Sequence, residues 1–468
     1  MPVKVARALA EFEQRARGAL VMTDPEVCER YAGDESEAPP HTPDAVVRAR
    51  SEDDVVALLS ACFRHQVPVT PRAGGTGRTG GAVPVEGGIV LTFEGMNTLE
   101  EVHRGDLVAV VRPGLVLGHL HDAVEAEGLF YGPDPNSLAS CALGGNLAEN
   151  AGGPRALKYG ATRDWTLGLD VVTADGTRLA LGKRTSKGVT GYDLTSLVVG
   201  SEGTLAVITR ATMKLLPKPE SVATLLALLP DTHTSERAMH ALVALRIVPR
   251  CLELLDDDTL TLVRPSLNFS IPERSHAALL LEVDGPEAAC ATDLERAGNA
   301  MLDAGALDVL VARHGGDRER LWAARRALSP AMRASAPHKL AEDVVVPRSR
   351  IAALLEARDR IRDQHDIRMP IYGHAGDGNL HVNFLWAHPD EAPRAHAAIE
   401  AMFREVVQLG GTLTGEHGVG VLKAPYLHLE QSPALIAWQQ RIKQTFDPRG
   451  ILNPGKIFSP TASTHRAC

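Results

Sequence analysis

Early in the chain, Val55, Val56, Leu58, Leu59, Cys62 and Phe63 fall on one face at helical spacing, directly behind Ser51-Glu52-Asp53-Asp54. That arrangement predicts a capped amphipathic helix. Val67-Pro68-Val69 reads as a short strand, and it runs straight into PRAGGTGRTGG, residues 71–81. A glycine loop therefore stands at a strand end, a common place for a ligand. Val108 to Arg112 is a further strand, followed by a helix with Val116, Leu120, Ala123 and Val124 on its apolar face. From 128 to 210 the chain is dense in Gly, Asn and Pro, with β-like runs at 168–174 and 177–181 around an Asp175-Gly176 turn. Loops of that length inside a compact domain usually wrap something.

Pro217-Lys218-Pro219 is a stiff boundary after a strand around Leu205 to Ile208. Beyond it a second alternation begins: strand 222–229, helix 235–245, strands 251–255 and 277–283, helix 287–303 and strand 307–312. This rhythm fits a sheet covered by helices on one face. Two more amphipathic helices are predicted at 391–409 and 433–446. The division expected is 1–218, 219–430 and a closing segment, 431–468, that returns to the first domain.

A chain of 468 residues, 44% hydrophobic and 23% charged, is an ordinary globular one, large enough for two cores and a sizeable cofactor. With 49 Lys plus Arg against 58 Asp plus Glu and a net charge of −9, it shows no basic block for gripping nucleic acid. The six cysteines, 28, 62, 141, 251, 290 and 468, form no CxxC pair. They read as free thiols in a reducing compartment rather than as zinc or iron–sulfur ligands. The first twenty residues lack the apolar run of a signal peptide, and no segment approaches the ~20 apolar residues of a membrane span. A cytoplasmic location is expected, with docking to the inner membrane surface left open.

In residues 71–81 the glycines clear space for backbone N–H groups to converge on an anion, and Thr76 and Thr79 add hydroxyl donors. The loop suits a pyrophosphate, although glycine-rich turns are common and it is weak evidence alone. The pattern GxxxxGK[ST] of nucleoside triphosphatases is not present. Specificity rises with two further blocks, YGPDPNSLASCALGGNLAENAGGPRALKYGATRDWTLGLDVVTADG (131–176) and GYDLTSLVVGSEGTLAVIT (191–209).

In this order the three blocks resemble the FAD-binding domain of the vanillyl-alcohol-oxidase type, in the branch of D-lactate, D-2-hydroxyglutarate and glycolate-oxidising flavoenzymes. The likeness runs from about residue 40 to Phe458. It implies an α+β fold: a two-subdomain FAD-binding domain, a ferredoxin-like α/β substrate (cap) domain and a C-terminal helical segment. It also implies FAD contacts from Arg72, Ala73, Gly74, Gly75, Thr76 and Gly77 at the pyrophosphate. Pro133, Asp134, Ser137, Gly144, Gly145, Asn146, Ala148, Asn150 and Gly152 match the middle block, and Glu202, Gly203, Thr204 and Ile208 the last. Relatives that tether the flavin often carry His in the first loop where this chain has Thr76, so non-covalent FAD is expected.

YGHAGDGNLHVN (372–383) reads as strand, turn, strand, and a hairpin folded at Gly376-Asp377-Gly378 brings His374 and His381 together. TGEHGVG (414–420) supplies Glu416 as a third ligand and His417 beside it. Two imidazoles and a carboxylate leave positions open for substrate on Zn²⁺ or Mn²⁺, between which the residues do not choose. The resemblance places the family's ligands on these three residues and its base on His417. A 2-hydroxy acid chelating the cation would have a more acidic hydroxyl. An imidazole, unperturbed near pH ~6.5, is suited to take that proton while hydride goes to the flavin.

For the substrate carboxylate, Arg325 matches a family arginine after the Leu-Trp pair, and a guanidinium can hold a carboxylate bidentately. Ser329, four residues on, is expected on the same helix face. Lys339 resembles another substrate contact at an offset that varies in the family. The plain alternative is that Arg325, Arg326 and Arg333 form a solvated helix face. Asn453-Pro454-Gly455 and Lys456 resemble the family's closing signature, which a structural turn explains as well.

The expected activity is oxidation of a small D-2-hydroxy acid, D-lactate first, with electrons passed to a quinone, cytochrome or electron-transfer flavoprotein. The other readings are a glycolate oxidase flavin subunit working with partner chains, a D-2-hydroxyglutarate dehydrogenase, a metal-dependent hydrolase and an inert flavin-binding subunit. The hydrolase leaves the glycine blocks unexplained, and the inert subunit leaves the metal cluster unexplained. Assembly as a homodimer or with partner subunits stays open.

Overall fold

A computed structural model describes residues 1–458 apart from 17, 268 and 313. Contacts divide the chain into two units, one of residues 1–151, 161–218 and 416 onward, the other of Gly152–Gly160 and Pro219–Gly415.

The first unit holds two main sheets. In one, Ala45–Arg48 and Val69–Arg72 both pair in parallel with Ile89–Thr92. Helix Glu52–His65 covers it, and its start is fixed by a reciprocal cap: the Ser51 hydroxyl accepts from Asp54 N–H, and the Asp54 carboxylate accepts from Ser51 N–H at 3.1 Å. Val55, Leu58, Leu59 and Cys62 pack with Val5, Leu9 and Phe12 of helix Val3–Glu13 into one core. The other main sheet is five-stranded and antiparallel, ordered 99–103, 108–111, 207–214, 166–172, 178–182. At its 173–177 turn the Asp175 carboxylate accepts from Thr177 N–H at 3.0 Å and Gly176 takes φ +91°.

The second unit is built on a seven-stranded antiparallel sheet. Strands Ser221–Leu229, Cys251–Leu255, Ala277–Gly285 and Asp308–Val311 lie in the spatial order fourth, first, third, second, with helices Thr232–Ala244 and Glu287–Asp303 in the two crossovers. That is the ferredoxin-like pattern. Strands Ile371–His374, Asn379–Trp386 and His338–Val345 extend the sheet beyond Cys251–Leu255.

The expectation of helices on one face is corrected. Leu226, Leu228, Ala278 and Leu280 pack with Leu260, Leu321, Leu328 and Met332, whereas Leu225, on the opposite face of its strand, lies against helix Glu287–Asp303 near Gly298. Both faces are covered, which is why residues 225–229 and 277–281 of these strands are apolar without a break instead of alternating. Residues 152–160 join this unit through Asp284, whose carboxylate accepts from Lys158 Nζ and from Tyr159 OH, the latter at 2.8 Å.

Cys28, Cys62, Cys141, Cys251 and Cys290 are buried and form no disulfide with one another, and Cys468 lies outside the described residues. Among the described residues no helix is long and apolar enough to cross a membrane.

Candidate active site

In the first unit the glycine blocks meet through backbone. A Cβ on Gly74 would lie 2.9 Å from Ala142 N and 3.0 Å from Ser140 O, so only glycine lets the loop after strand Val69–Arg72 approach residues 140–142. At Gly75, which has φ +67°, an added Cβ would strike the Arg72 guanidinium folded over the loop. Arg72 donates to Gly33 O at 2.6 Å. A cation over a loop stripped of side chains is chemistry that fits a pyrophosphate.

The middle and last blocks are joined likewise. Glu202 N–H donates to Ala148 O and Gly200 N–H to Leu147 O, both at 2.8 Å. Asn150, with φ +56°, ends helix Leu143–Glu149 and accepts from Arg163 N–H at 2.8 Å. Gly144 packs on Pro113 and Gly203 on Pro71 at distances that exclude a side chain. Asn146, Thr204 and Ile208 are buried, and Pro133 O accepts from His121 at 2.9 Å. Gly152 falls in the segment that groups with the second unit.

Residues 417–420 are fastened to these blocks. Thr79 Oγ1 donates to His417 O at 3.0 Å, and the buried Glu202 carboxylate accepts from Val419 N–H and Gly420 N–H, both at 2.7 Å. Burial raises the Glu202 carboxyl against the pull of those two N–H groups. Asn453 Nδ2 donates to Gly81 O at 2.9 Å and Glu202 O at 2.7 Å, and Leu452 bridges to Val69, so the closing segment returns to this unit. Lys456 donates to Val83 O at 2.6 Å, and burial lowers its pKa to about 8.

The second unit carries its chemistry on side chains of one sheet face. Register sets Tyr372 opposite His381, His381 opposite Asp343, and His374 opposite Glu253. Directly paired residues share a face, as do residues two apart along a strand. The hairpin turns over residues 375–378, with Gly378 at φ +86° and its N–H donating to His374 O at 3.1 Å. Both histidines are buried, with ring centroids 5.2 Å apart at 83°. Glu416 follows Gly415, whose N–H donates to the Asp343 carboxylate at 2.9 Å. Ligand atoms of His374, His381 and Glu416 lie within 4.8 Å of one another. Two imidazoles and a carboxylate at that spacing suit a borderline divalent cation.

The sequence reasoning missed the next layer. Glu253, fully buried in the strand Cys-Leu-Glu-Leu-Leu, gives one oxygen to His374 Nδ1 at 2.5 Å and the other to Arg325 Nε at 2.6 Å. Burial alone would raise its carboxyl, but the His374 and Arg325 charges outweigh that and lower it to about 2. The signal was present: a lone carboxylate in an apolar strand must be paired. Arg325 is 2% exposed, its guanidinium centred 4.4 Å above the Tyr372 ring, and its Nη2 has no hydrogen-bond partner. It does not belong to a solvated face, while Arg326 and Arg333 are exposed.

Ser329 is half-buried and lies on the far side of a helix interruption from Arg325. The helix is broken at Ala327 into Gly315–Arg326 and Leu328–Ser335, since Pro330 has no N–H to offer back along the helix. Lys339 lies on strand His338–Val345, on the face of Asp343 and His381. His417 Nε2 is 4.0 Å from Glu416 Oε1.

Comparison with known proteins matches residues 43–182 to an FAD binding domain and residues 218–457 to the C-terminal domain of FAD linked oxidases. The chain is 42% identical to glycolate oxidase subunit GlcD of Bacillus subtilis over 90% of both chains. It is 34% identical to a D-lactate dehydrogenase of Anaerostipes hadrus over 89% of both. The solved 4-ethylphenol oxidase from Gulosibacter chungangensis superposes with a TM-score of 0.78 over 98% of both chains at 22% identity, which shows the shared vanillyl-alcohol-oxidase type fold. The chain belongs to the FAD-linked oxidase family and is an FAD-dependent oxidoreductase.

Proposed function

We propose that this protein is an FAD-dependent dehydrogenase of small D-2-hydroxy acids, D-lactate first, with non-covalent FAD and a Zn²⁺ or Mn²⁺ ion at His374, His381 and Glu416. The observation that carries the reading is the meeting of those three ligands beside the Glu253–Arg325 pair. The three glycine blocks would hold FAD, residues 1–218 forming the flavin domain, 219–430 the substrate domain and 431–468 the closing segment.

FAD held by the three glycine blocks would supply the acceptor for the α-carbon hydride, and a cation held by His374, His381 and Glu416 would supply the Lewis acidity that makes the substrate hydroxyl more acidic. His417 takes the hydroxyl proton as general base. Arg325, its Nε committed to Glu253, keeps its Nη pair for the substrate carboxylate. Ser329 and Lys339 would complete the substrate contacts. Electrons leave to an external quinone, cytochrome or electron-transfer flavoprotein, with the enzyme in the cytoplasm or at the inner membrane surface.

The likeness to a glycolate oxidase subunit favours a second reading, glycolate as substrate with partner chains. Anaerobic absorbance of the purified yellow protein with D-lactate, L-lactate, glycolate and D-2-hydroxyglutarate tests both. D-lactate is expected to bleach the flavin and L-lactate to leave it oxidised. Fastest bleaching by glycolate together with co-purifying chains would favour the second reading. No bleaching by any of the four would overturn the proposed activity.

A further inference from the structure

Arg325 and His374 come from different elements, a helix and a strand 49 positions apart by number, yet both end on the same carboxylate. A counter-ion for Arg325 alone would require no imidazole. Glu253 instead splits its two oxygens, Oε1 to His374 Nδ1 at 2.5 Å and Oε2 to Arg325 Nε at 2.6 Å. Its register directly opposite His374, with both side chains buried, leaves the imidazole little freedom to turn. A carboxylate that accepts Nδ1–H sets the tautomer with the lone pair on Nε2 and makes that nitrogen a stronger donor to a cation. Arg325 is held from its other side by the Tyr372 ring, and Tyr372 is cross-strand from His381. The two imidazoles, the aromatic ring, the guanidinium and Glu253 thus form one packed group on a single sheet face.

From this arrangement we infer that Glu253 is a positioning residue that orients His374 for a divalent cation and at the same time fixes Arg325 for an anionic substrate group. The inference rests on the cation site proposed above. It makes cation affinity depend on a residue that touches neither cation nor substrate.

The test is binding of Co²⁺ alone to the FAD-loaded, full-length protein, titrated against a chelator and followed by the cobalt d–d bands on the long-wavelength side of the flavin absorption. Glu253→Gln keeps the shape and removes the charge. Because it leaves Arg325 buried without a counter-ion, the double variant Glu253→Leu/Arg325→Met is measured beside it, so that no lone buried charge remains to unfold the unit. Both folded variants are expected to bind Co²⁺ about 10–100-fold more weakly than wild type, with shifted bands. A folded variant with wild-type affinity and bands would overturn the inference and leave the cation site standing. If wild type fails to bind Co²⁺, or His381→Ala binds it equally well, the cation site itself fails and the inference goes with it.

Discussion

The two units bury carboxylates in opposite ways. Glu202 in the first unit is met by two backbone N–H groups, from Val419 and Gly420, whereas Glu253 in the second is met by two side chains, His374 and Arg325. The contrast extends to everything around them. The first unit assembles its candidate cofactor loops from glycines and main-chain hydrogen bonds, and the second assembles its cluster from alternate residues of paired strands. A site made of backbone is sensitive to added bulk, because no side chain can move aside. A site made of side chains is sensitive to lost charge and lost donors, and tolerates changes of shape better.

The largest expected effect is at His417, whose carbonyl is tied to Thr79 while its imidazole is assigned the chemistry. His417→Ala should retain FAD yet slow anaerobic bleaching about 10²–10⁴-fold, the usual worth of a general base. Full turnover in that variant, measured by stopped-flow absorbance, would remove His417 from the mechanism.

Next comes bulk in the first unit. Gly74→Val places carbon against the backbone of residues 140–142. Overpacking of about 1–3 kcal/mol corresponds to FAD binding weaker by about 5–150-fold. Flavin content after dialysis reads this out, and an unchanged FAD:protein ratio would mean that the loop does not face the cofactor.

Glu202→Ala is the matching loss in the same unit. It strands two buried N–H groups at about 1–3 kcal/mol each, so a thermal midpoint lower by several degrees is expected. A midpoint equal to wild type would show that water replaces the carboxylate.

The smallest effect is the response to acid, and it should differ in sign between the units. Burial raises the Glu202 carboxyl, so its contribution to stability is present below the ordinary carboxylate value of 4.5 and is lost as pH rises through the raised value. For Glu282, on strand Ala277–Gly285, burial is outweighed by the Arg318 and Arg250 charges and the carboxyl is lowered. Its contribution is present above 4.5 and is lost as pH falls toward the lowered value. Protection of strand 277–285 against hydrogen exchange, taken relative to the intrinsic rate at each pH, should fall on acidification below that point in wild type and less so in Glu282→Gln. The same pH profile in both proteins would refute this assignment.

How much of this was legible follows the same contrast. Backbone chemistry leaves a compositional trace, so the glycine blocks could be picked out by eye, and helix Glu287–Asp303 and strand Cys251–Leu255 show plainly as periodic or apolar runs. The His374 to His381 spacing across a glycine turn also folds as a hairpin for a local reason. Glu253 was hidden because its partners lie on a helix and a strand far along the chain, and the strand around it reads as ordinary core. The helix break at Ala327 was visible only as Pro330, which the four-residue spacing from Arg325 to Ser329 passed over. Helices on both sheet faces were missed because a two-sided strand and a buried one-sided strand look alike in an apolar run. The allegiance of residues 152–160 rests on Asp284, 126 positions from Lys158, and no local pattern announces it.

If a chelated cation acts on the substrate hydroxyl, its removal must slow flavin reduction. The decisive measurement is anaerobic bleaching with the preferred hydroxy acid in three states of one sample: as purified, stripped by chelator with FAD retained, and reloaded with Zn²⁺ or Mn²⁺. Several kcal/mol of Lewis-acid assistance predicts bleaching slower by about 100-fold or more after stripping, restored on reloading. Bleaching at an undiminished rate in metal-free, FAD-replete protein would contradict the account.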